Sequence, residues 1–204
     1  MTTTVATLEA HTNEVWDIQW SHDGAFLASA SSDKSAIIWR KAERSSHTAA
    51  TSMQDWSVHL VLNDDIFAVG RLAWSPDDKV LLTSSEHLSK MWDTETGSCI
   101  RILEEHEETV TSICWLPDGT GFVTGSLDRK VIVWDKDGRV RDVWDRTPIR
   151  IIDFAITPDE TRLVAVGLEY KVRAYSPGSE FVHSGHECRF PRRGLQMEGR
   201  YHAN

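Results

Sequence analysis

The sequence has few cysteines, an acidic rather than a basic charge balance, and no long apolar segment. Its three cysteines, Cys99, Cys114 and Cys188, are too scattered for a disulfide framework, so we expect reduced thiols. The net charge of −9 argues against a nucleic-acid partner, because phosphates require a basic surface. A membrane span of about 18 apolar residues and a signal-peptide pattern are both missing. We therefore expect a protein of the cytoplasm, with the nucleus as a second compartment, that contacts no membrane.

Apolar residues also do not recur with the period of an α-helix. Their spacing is typical of β-strands instead. Within HEETVTSICWLPDGTGFVTGSLDRKVIVWD, residues 106–135, alternation from Val110 to Trp115 predicts a strand that ends at a Pro-Asp-Gly turn. GFVTGS and VIVWD predict two further strands, separated by a turn at LDRK. Three strands joined by two turns indicate an antiparallel meander.

The same unit occurs four times in the chain. HTNEVWDIQWSHDGAFLASASSDKSAIIWR, residues 11–40, aligns with the stretch above without a gap, and both place nine residues from His to Trp. Two weaker copies end at Asp93 and Tyr175, and in these copies Asp65 and Thr147 stand at the histidine position. Self-similarity with a period of this length is typical of proteins built from stacked repeats.

The repeats resemble WD40 repeats over about residues 5–176. This resemblance implies an all-β fold, a WD40-type β-propeller in which each repeat supplies one blade of antiparallel strands. The propeller is expected to be incomplete, with about four blades: residues 5–40, 56–94, 100–135 and 139–176. Residues 41–55 are expected to form a flexible loop between blades, and residues 177–204 a polar, disordered tail.

The resemblance also implies a hydrogen-bonded structural tetrad in each of the two well-formed repeats. The tetrads are His11, Ser29, Asp33 and Trp39 in the first repeat, and His106, Thr124, Asp128 and Trp134 in the third. Such a histidine accepts a hydrogen bond from a hydroxyl or an indole N–H and donates one to the aspartate. It thereby satisfies polar groups that the blade would otherwise bury unpaired.

Catalytic and metal-binding interpretations of these residues are weaker than the structural one. Ser, His and Asp can form a hydrolytic triad, but the spacing occurs twice and no Gly-x-Ser-x-Gly turn surrounds the serines. His183, His186 and Cys188 have a spacing that could hold a metal, yet a fourth ligand is missing nearby. We therefore predict no enzyme activity, no cofactor and no metal site.

A binding surface for other proteins is expected at the rim where each inner strand begins, three and five residues after the histidine position. The candidate rim residues are Glu14, Trp16, Thr109, Thr111, Arg150 and Ile152. Trp16 is the favoured contact, because an aromatic side chain among polar neighbours is typical of binding hot spots. The alternative for Trp16 is burial together with Trp20, which shares its parity in a regular strand and which we expect in the core.

A more specific resemblance lies after the third repeat. WDKDGRVRDVW, residues 134–144, continues into RIIDFAITPDETRLVAV, and with the third repeat it resembles the WD-repeat subunit of the GID/CTLH ubiquitin ligase. This resemblance implies a non-catalytic scaffold that binds RING and CTLH ligase subunits and helps to present substrates for proteasomal degradation. This sequence shows no counterpart of the helical LisH and CTLH segments or of several repeats of that family, so we expect a truncated relative.

Three alternative functions stay open. The chain could be a generic WD40 adaptor, a substrate receptor of a cullin ligase, or a truncated relative without the family's function. A cullin receptor is marked by Trp-Asp-x-Arg, and the repeat ends WRKA, WDTE and WDKD lack arginine at the fourth position. An incomplete propeller also leaves open blade edges, which favour self-association.

Overall fold

The computed structural model describes residues 7–41, 56–63, 66–145, 147–157, 162–167 and 172–175, which contain fifteen strands. The segment 41–55, expected to be a flexible loop, lies outside the described residues except for Lys41, the last residue of a strand. The tail 177–204 lies entirely outside them. No helix that is long and apolar enough to cross a membrane occurs among the residues described.

The strands form four antiparallel sheets, numbered I to IV in chain order, and the strand order within each sheet follows the sequence. Sheet I contains β1 (Val15–Trp20), β2 (Phe26–Ser31), β3 (Ala36–Lys41) and β4 (Trp56–Leu62). Sheet II contains β5 (Arg71–Trp74), β6 (Val80–Ser85), β7 (Leu88–Asp93) and β8 (Cys99–Leu103). Sheet III contains β9 (Val110–Trp115), β10 (Gly121–Ser126), β11 (Val131–Asp135) and β12 (Val140–Trp144), and sheet IV contains β13 (Ile151–Ile156), β14 (Leu163–Gly167) and β15 (Val172–Tyr175). The prediction of an all-β, incomplete propeller with about four blades is confirmed.

Tight turns join the first two strands of sheets I, II and III. Gly24 and Gly119 have positive φ angles of 70°, which glycine adopts without strain. Asp78 takes this position in sheet II with a φ of 58°. Its carboxylate accepts hydrogen bonds from the backbone N–H groups of His22 and Asp23 at 2.8 and 2.9 Å. Asp78 therefore ties the turn of sheet II to the turn of sheet I.

The core lies between successive sheets. We call the face of a sheet that points toward the preceding sheet its front face, and the opposite face its back face. Small back-face residues of sheet I, such as Ala28 and Ala30, pack against Leu72 and Trp74 on the front face of sheet II. Corresponding clusters join sheet II to sheet III and sheet III to sheet IV. Burial of this apolar surface is the main favourable contribution to folding.

Trp20 is exposed, so the expectation that it belongs to the core is wrong. Its side chain is 55% exposed and lies edge-on to Trp56, with ring centroids 5.2 Å apart. Trp115, at the same position of the third repeat, is only 8% exposed because the back face of sheet II covers it. Trp20 lies on the front face of sheet I, and no sheet in the described part of the chain precedes sheet I.

Phe122 provides a test of this packing. Its ring is fully buried between Trp115 and Trp134, with centroid distances of 5.2 and 5.9 Å. Because Phe122→Ala leaves a cavity, we expect the free energy of unfolding to fall by about 3–5 kcal/mol, measured by urea denaturation with circular dichroism. Ile100→Ala is the control, since Ile100 is 52% exposed, and it should cost less than about 1 kcal/mol. Equal losses in both variants would contradict the packing described.

Candidate protein-interaction surface

The first tetrad forms a chain of hydrogen bonds through sheet I. The indole N–H of Trp39 donates to the Ser29 hydroxyl at 2.8 Å. The Ser29 hydroxyl lies 2.7 Å from His11 Nε2, and His11 Nδ1 lies 2.9 Å from a carboxylate oxygen of Asp33. In this arrangement each ring nitrogen of His11 has one partner, Ser29 at Nε2 and Asp33 at Nδ1.

The second tetrad repeats this arrangement in sheet III. The indole N–H of Trp134 donates to the Thr124 hydroxyl at 2.9 Å, and that hydroxyl lies 2.8 Å from His106 Nε2. His106 Nδ1 lies 2.8 Å from the Asp128 carboxylate. Both ring nitrogens of His106 and the hydroxyl of Thr124 are thus occupied by partners within the blade. Thr124 is also fully buried, so its hydroxyl is not accessible to a substrate.

The tetrad aspartates are stabilised in their charged form. Burial raises the pKa of Asp33, but hydrogen bonds from the Ser35 hydroxyl, the Thr12 N–H and His11 outweigh it, and the net pKa lies far below the ordinary value. The same balance of burial against hydrogen bonds lowers the pKa of Asp128. Both carboxylates are therefore acceptors at neutral pH.

The two weaker repeats keep parts of the tetrad. In sheet II the indole N–H of Trp92 donates to the Thr83 hydroxyl at 3.0 Å, while Asp65, at the histidine position, lies outside the described residues. In sheet IV the hydroxyl of Thr147 lies 2.8 Å from the carbonyl oxygens of Arg129 and Ile149. Thr147 thereby connects the start of sheet IV to the turn of sheet III.

Three of the six candidate rim residues occupy the same irregular position. The strand registers of β1, β9 and β13 each skip one residue, namely Trp16, Thr111 and Ile152, so each of these residues is the extra residue of a β-bulge. A bulge removes a residue from the alternation of the strand and redirects its side chain. Trp16 therefore does not share the parity with Trp20 that a regular strand would give it.

The rim residues differ in exposure. Trp16 is 60% exposed, and its indole N–H donates to the Ser32 hydroxyl. Glu14, Thr109 and Arg150 are also exposed. The other two, Thr111 and Ile152, are half-buried. All six rim residues lie at or just before the starts of the inner strands of sheets I, III and IV.

Ion pairs neutralise part of the charge at this rim. Arg150 lies 3.0 Å from a carboxylate oxygen of Glu108, and Lys130 lies 2.6 Å from Glu107. The acidic run from Glu104 to Glu108 is therefore partly balanced by cations of neighbouring segments. Trp16, rather than net charge, is the distinctive feature of the surface.

Sequence reasoning missed a set of polar residues that link neighbouring sheets. They share one repeat position on the inner strands: Asp17, Arg71, Ser112 and Asp153. Asp17 accepts the N–H of Leu72 at 2.9 Å, Arg71 Nε donates to the Thr111 carbonyl at 2.7 Å, and the Ser112 hydroxyl donates to Asp153 at 2.8 Å. An alignment of the four repeats shows this polar position and could have identified it.

The Asp17 link is half-buried. Burial raises the pKa of Asp17, although the N–H groups of Leu72 and Ile18 and the charge of Arg71 act in the opposite direction. The aspartate is thus a connector between sheets I and II.

A cleft of about 860 Å³ opens between sheets II and III at the end opposite to the tetrad turns. Its lining combines the apolar Met91 and Trp115 with the basic Lys136 and Arg139. Both cations lie within ion-pair distance of Asp137, at 2.9 and 3.2 Å. These pairs reduce the attraction of the cleft for an acidic ligand.

The described part of the chain holds no group of three or more His, Cys, Asp or Glu side chains placed to bind a metal ion. His183, His186 and Cys188 lie outside the described residues. Cys99 and Cys114 are reduced thiols, and burial raises the pKa of Cys114, which keeps it protonated.

Substitution of the buried tetrad histidine should destabilise the fold. His106→Ala leaves the Thr124 hydroxyl and the Asp128 carboxylate without their partner, so we expect a loss of about 1–3 kcal/mol in the free energy of unfolding. Urea denaturation measures it. His22→Ala is the control, because the His22 side chain is exposed and its pair with Asp78 should contribute less than about 1 kcal/mol. A His106 variant as stable as the control would refute the structural role of the tetrad.

Acidification should weaken the fold through the tetrad aspartates. The pKa of Asp128 is lower in the folded than in the unfolded chain, so its contribution to stability is complete above the unfolded pKa of about 4 and disappears as the pH falls further. Asp128→Asn removes this dependence. We expect the urea midpoint of the variant to fall less steeply than that of the wild type between about pH 5 and pH 3. Parallel pH profiles would contradict this assignment.

A known family model matches three of the repeats. The model for WD40, described as WD domain, G-beta repeat, matches residues 2–40, 50–93 and 97–135, more than half of the chain.

Several curated proteins are similar over most of the chain. The WD repeat-containing protein 26 homolog of Arabidopsis thaliana is 37% identical over 170 residues, 80% of this chain and 26% of the relative. The WD repeat-containing protein WDS homolog of the same plant is 37% identical over 178 residues, 83% of this chain and 32% of the relative. GID complex subunit 7 of Schizosaccharomyces pombe is 38% identical over 164 residues, 80% of this chain and 30% of the relative.

The chain spans between about a quarter and a third of the length of these relatives. The repeat matches agree with the four antiparallel sheets and with the hydrogen-bonded His, Ser or Thr, Asp and Trp residues of sheets I and III. The chain belongs to the WD40 repeat family.

Proposed function

We propose that this chain is a non-catalytic protein-interaction scaffold within a GID/CTLH-type ubiquitin ligase, acting in proteasomal degradation in the cytoplasm or the nucleus. The similarity to a fission-yeast protein named as a GID complex subunit carries the proposal. It is supported by a fold in which the buried tetrad groups bind each other instead of a substrate. Catalysis would then belong to other subunits.

Trp16 is the residue that this role would use. Its indole is exposed, but the bulge in β1 and the hydrogen bond to Ser32 hold it in one orientation. A large side chain that is already fixed loses little conformational entropy on binding. Glu14 provides a polar neighbour two residues away, so the pair has the composition of a hot spot with a polar rim.

Affinity purification of the tagged chain from its own cells, followed by mass spectrometry, tests the proposal. We expect RING and CTLH subunits to be recovered with the wild-type chain. Trp16→Ala should lower their recovery at least about tenfold, as expected when a hot-spot aromatic is lost. Val143→Ala is the control, because Val143 is an exposed apolar residue on the outer strand of sheet III and should leave recovery unchanged.

Other outcomes separate the alternative functions. Recovery of a cullin in place of RING and CTLH subunits would indicate a substrate receptor. Recovery of unrelated proteins that depend on Trp16 would indicate a generic adaptor that uses the same rim. Recovery of chaperones alone would indicate a relative without the family's function. Each of these results would overturn the ligase assignment.

A further inference from the structure

The cleft between sheets II and III is positively charged in a chain that is acidic overall. Its lining contains four cationic side chains, those of Lys79, Arg101, Lys136 and Arg139. Three carboxylates line it as well, those of Asp77, Asp118 and Asp137. The net charge of the lining is therefore +1, whereas that of the whole chain is −9. All of these residues belong to the described segment 66–145, and both walls of the cleft are internal sheets.

The carboxylates do not pair with the cations one to one, because two of them cap the turns that carry them. Asp77 accepts a hydrogen bond from the Ser75 hydroxyl at 2.7 Å, and Asp118 accepts one from the Thr120 hydroxyl at 2.8 Å. The third, Asp137, is shared between two cations. Positive charge thus remains for a ligand.

Arg101 is the cation best placed to contact such a ligand. Its side chain is exposed, and it forms no ion pair with a carboxylate among the described residues. The stem of Arg101 packs on the turn between β11 and β12, since a Cβ atom added to Gly138 would lie only 2.6 Å from Arg101 Cδ. A cation whose stem is already held loses less conformational entropy on binding.

Apolar side chains also line the cleft, and they extend from the inner to the outer strands. Trp115 lies on the inner strand β9, Met91 on β7, and Ile100 on the outer strand β8. Neighbouring strands lie about 4.8 Å apart, so the four strands of a sheet span about 14 Å. About four residues of an extended peptide cover this distance, at about 3.3 Å per residue.

The indole N–H of Trp115 is a buried donor without an acceptor among the described residues. Trp74, at the same repeat position of sheet II, donates its indole N–H to the Gln19 carbonyl at 3.0 Å. A buried donor without a partner is unfavourable, so a ligand oxygen that reached it would add to binding. Met91 shares the cluster of Trp115 and is unbranched, so it can change rotamer to admit that oxygen.

We propose that this cleft binds an extended peptide segment of a partner protein that combines acidic with apolar side chains. The acidic side chains pair with Arg101, Lys136 and Arg139, and the apolar ones pack against Ile100 and the exposed edge of the Trp115 ring. The inner strands begin at the rim that contains Trp16 and end at this cleft. The cleft is therefore a second interaction surface, separate from that rim.

Fluorescence polarisation with the purified full chain at low ionic strength tests the charge requirement. The probe is a fluorescein-labelled hexapeptide in which Glu alternates with Leu, and the comparison peptide carries Lys in place of Glu. We expect binding of the first peptide only, and Arg101→Glu should weaken it at least about tenfold because a like charge replaces a partner. Arg141→Glu is the matched control, since Arg141 is another exposed arginine on an outer strand but does not line the cleft.

Two isoleucines of β8 test the apolar contact with the same probe. Ile100 is 52% exposed and lines the cleft, whereas Ile102 is 46% exposed and does not line it. Ile100→Ser should weaken binding about fivefold through loss of apolar contact, and Ile102→Ser should leave it unchanged. Circular dichroism establishes that each variant keeps the native strand content.

Several results would overturn the proposal. They are no binding of the Glu–Leu peptide at about 1 mM, equal binding of the Lys–Leu peptide, or undiminished binding to the Arg101→Glu variant. An equal loss in the Arg141→Glu variant would also overturn it, because attraction would then depend on overall charge rather than on the cleft. None of these results depends on the ligase assignment, since the measurement uses the purified chain and a synthetic peptide.

Discussion

Burial of one sheet's front face by the back face of the preceding sheet is the interaction on which the whole structure depends. A single meander of three or four strands cannot bury both of its faces, and isolated small sheets are unstable in water. Leu72 and Trp74 are covered by the small residues Ala28 and Ala30, and Ile113 is covered by Ala73, Leu82 and Met91. Cooperativity therefore resides in the junctions between repeats more than within them.

Hydrogen bonds divide into two sets that complement this packing. The tetrads satisfy buried polar atoms within a blade, and the inner-strand residues Asp17, Arg71 and Ser112 connect one blade to the next. Polar groups that are occupied in this way are part of the framework. The side chains that stay available for recognition are those exposed at the strand starts, and Trp16 is the largest of them.

The fold could be predicted from the sequence because its periodicities are local. Alternation from Val110 to Trp115 and the turn after it depend on neighbouring residues alone, so strands and sheets followed from the pattern. The exposure of Trp20 could not be predicted in this way, since it depends on whether another sheet covers it. The orientation of Trp16 depends on a bulge, and a bulge is a matter of register with β2 that the alternation of one strand does not reveal.

Gly125 influences which sheets pack against each other. Chains of similar repeats are prone to misassembly, because a sheet can dock on the wrong neighbour. The absence of a side chain at Gly125 admits Ile151 and Phe154, a bulkier pair than the other junctions hold. If sheet IV packed on the back face of sheet I instead, Ile151 and Phe154 would collide with Ala30, which carries the methyl group that Gly125 lacks. Differences of one or two carbon atoms thus favour packing on the native neighbour over packing on another sheet of nearly identical shape.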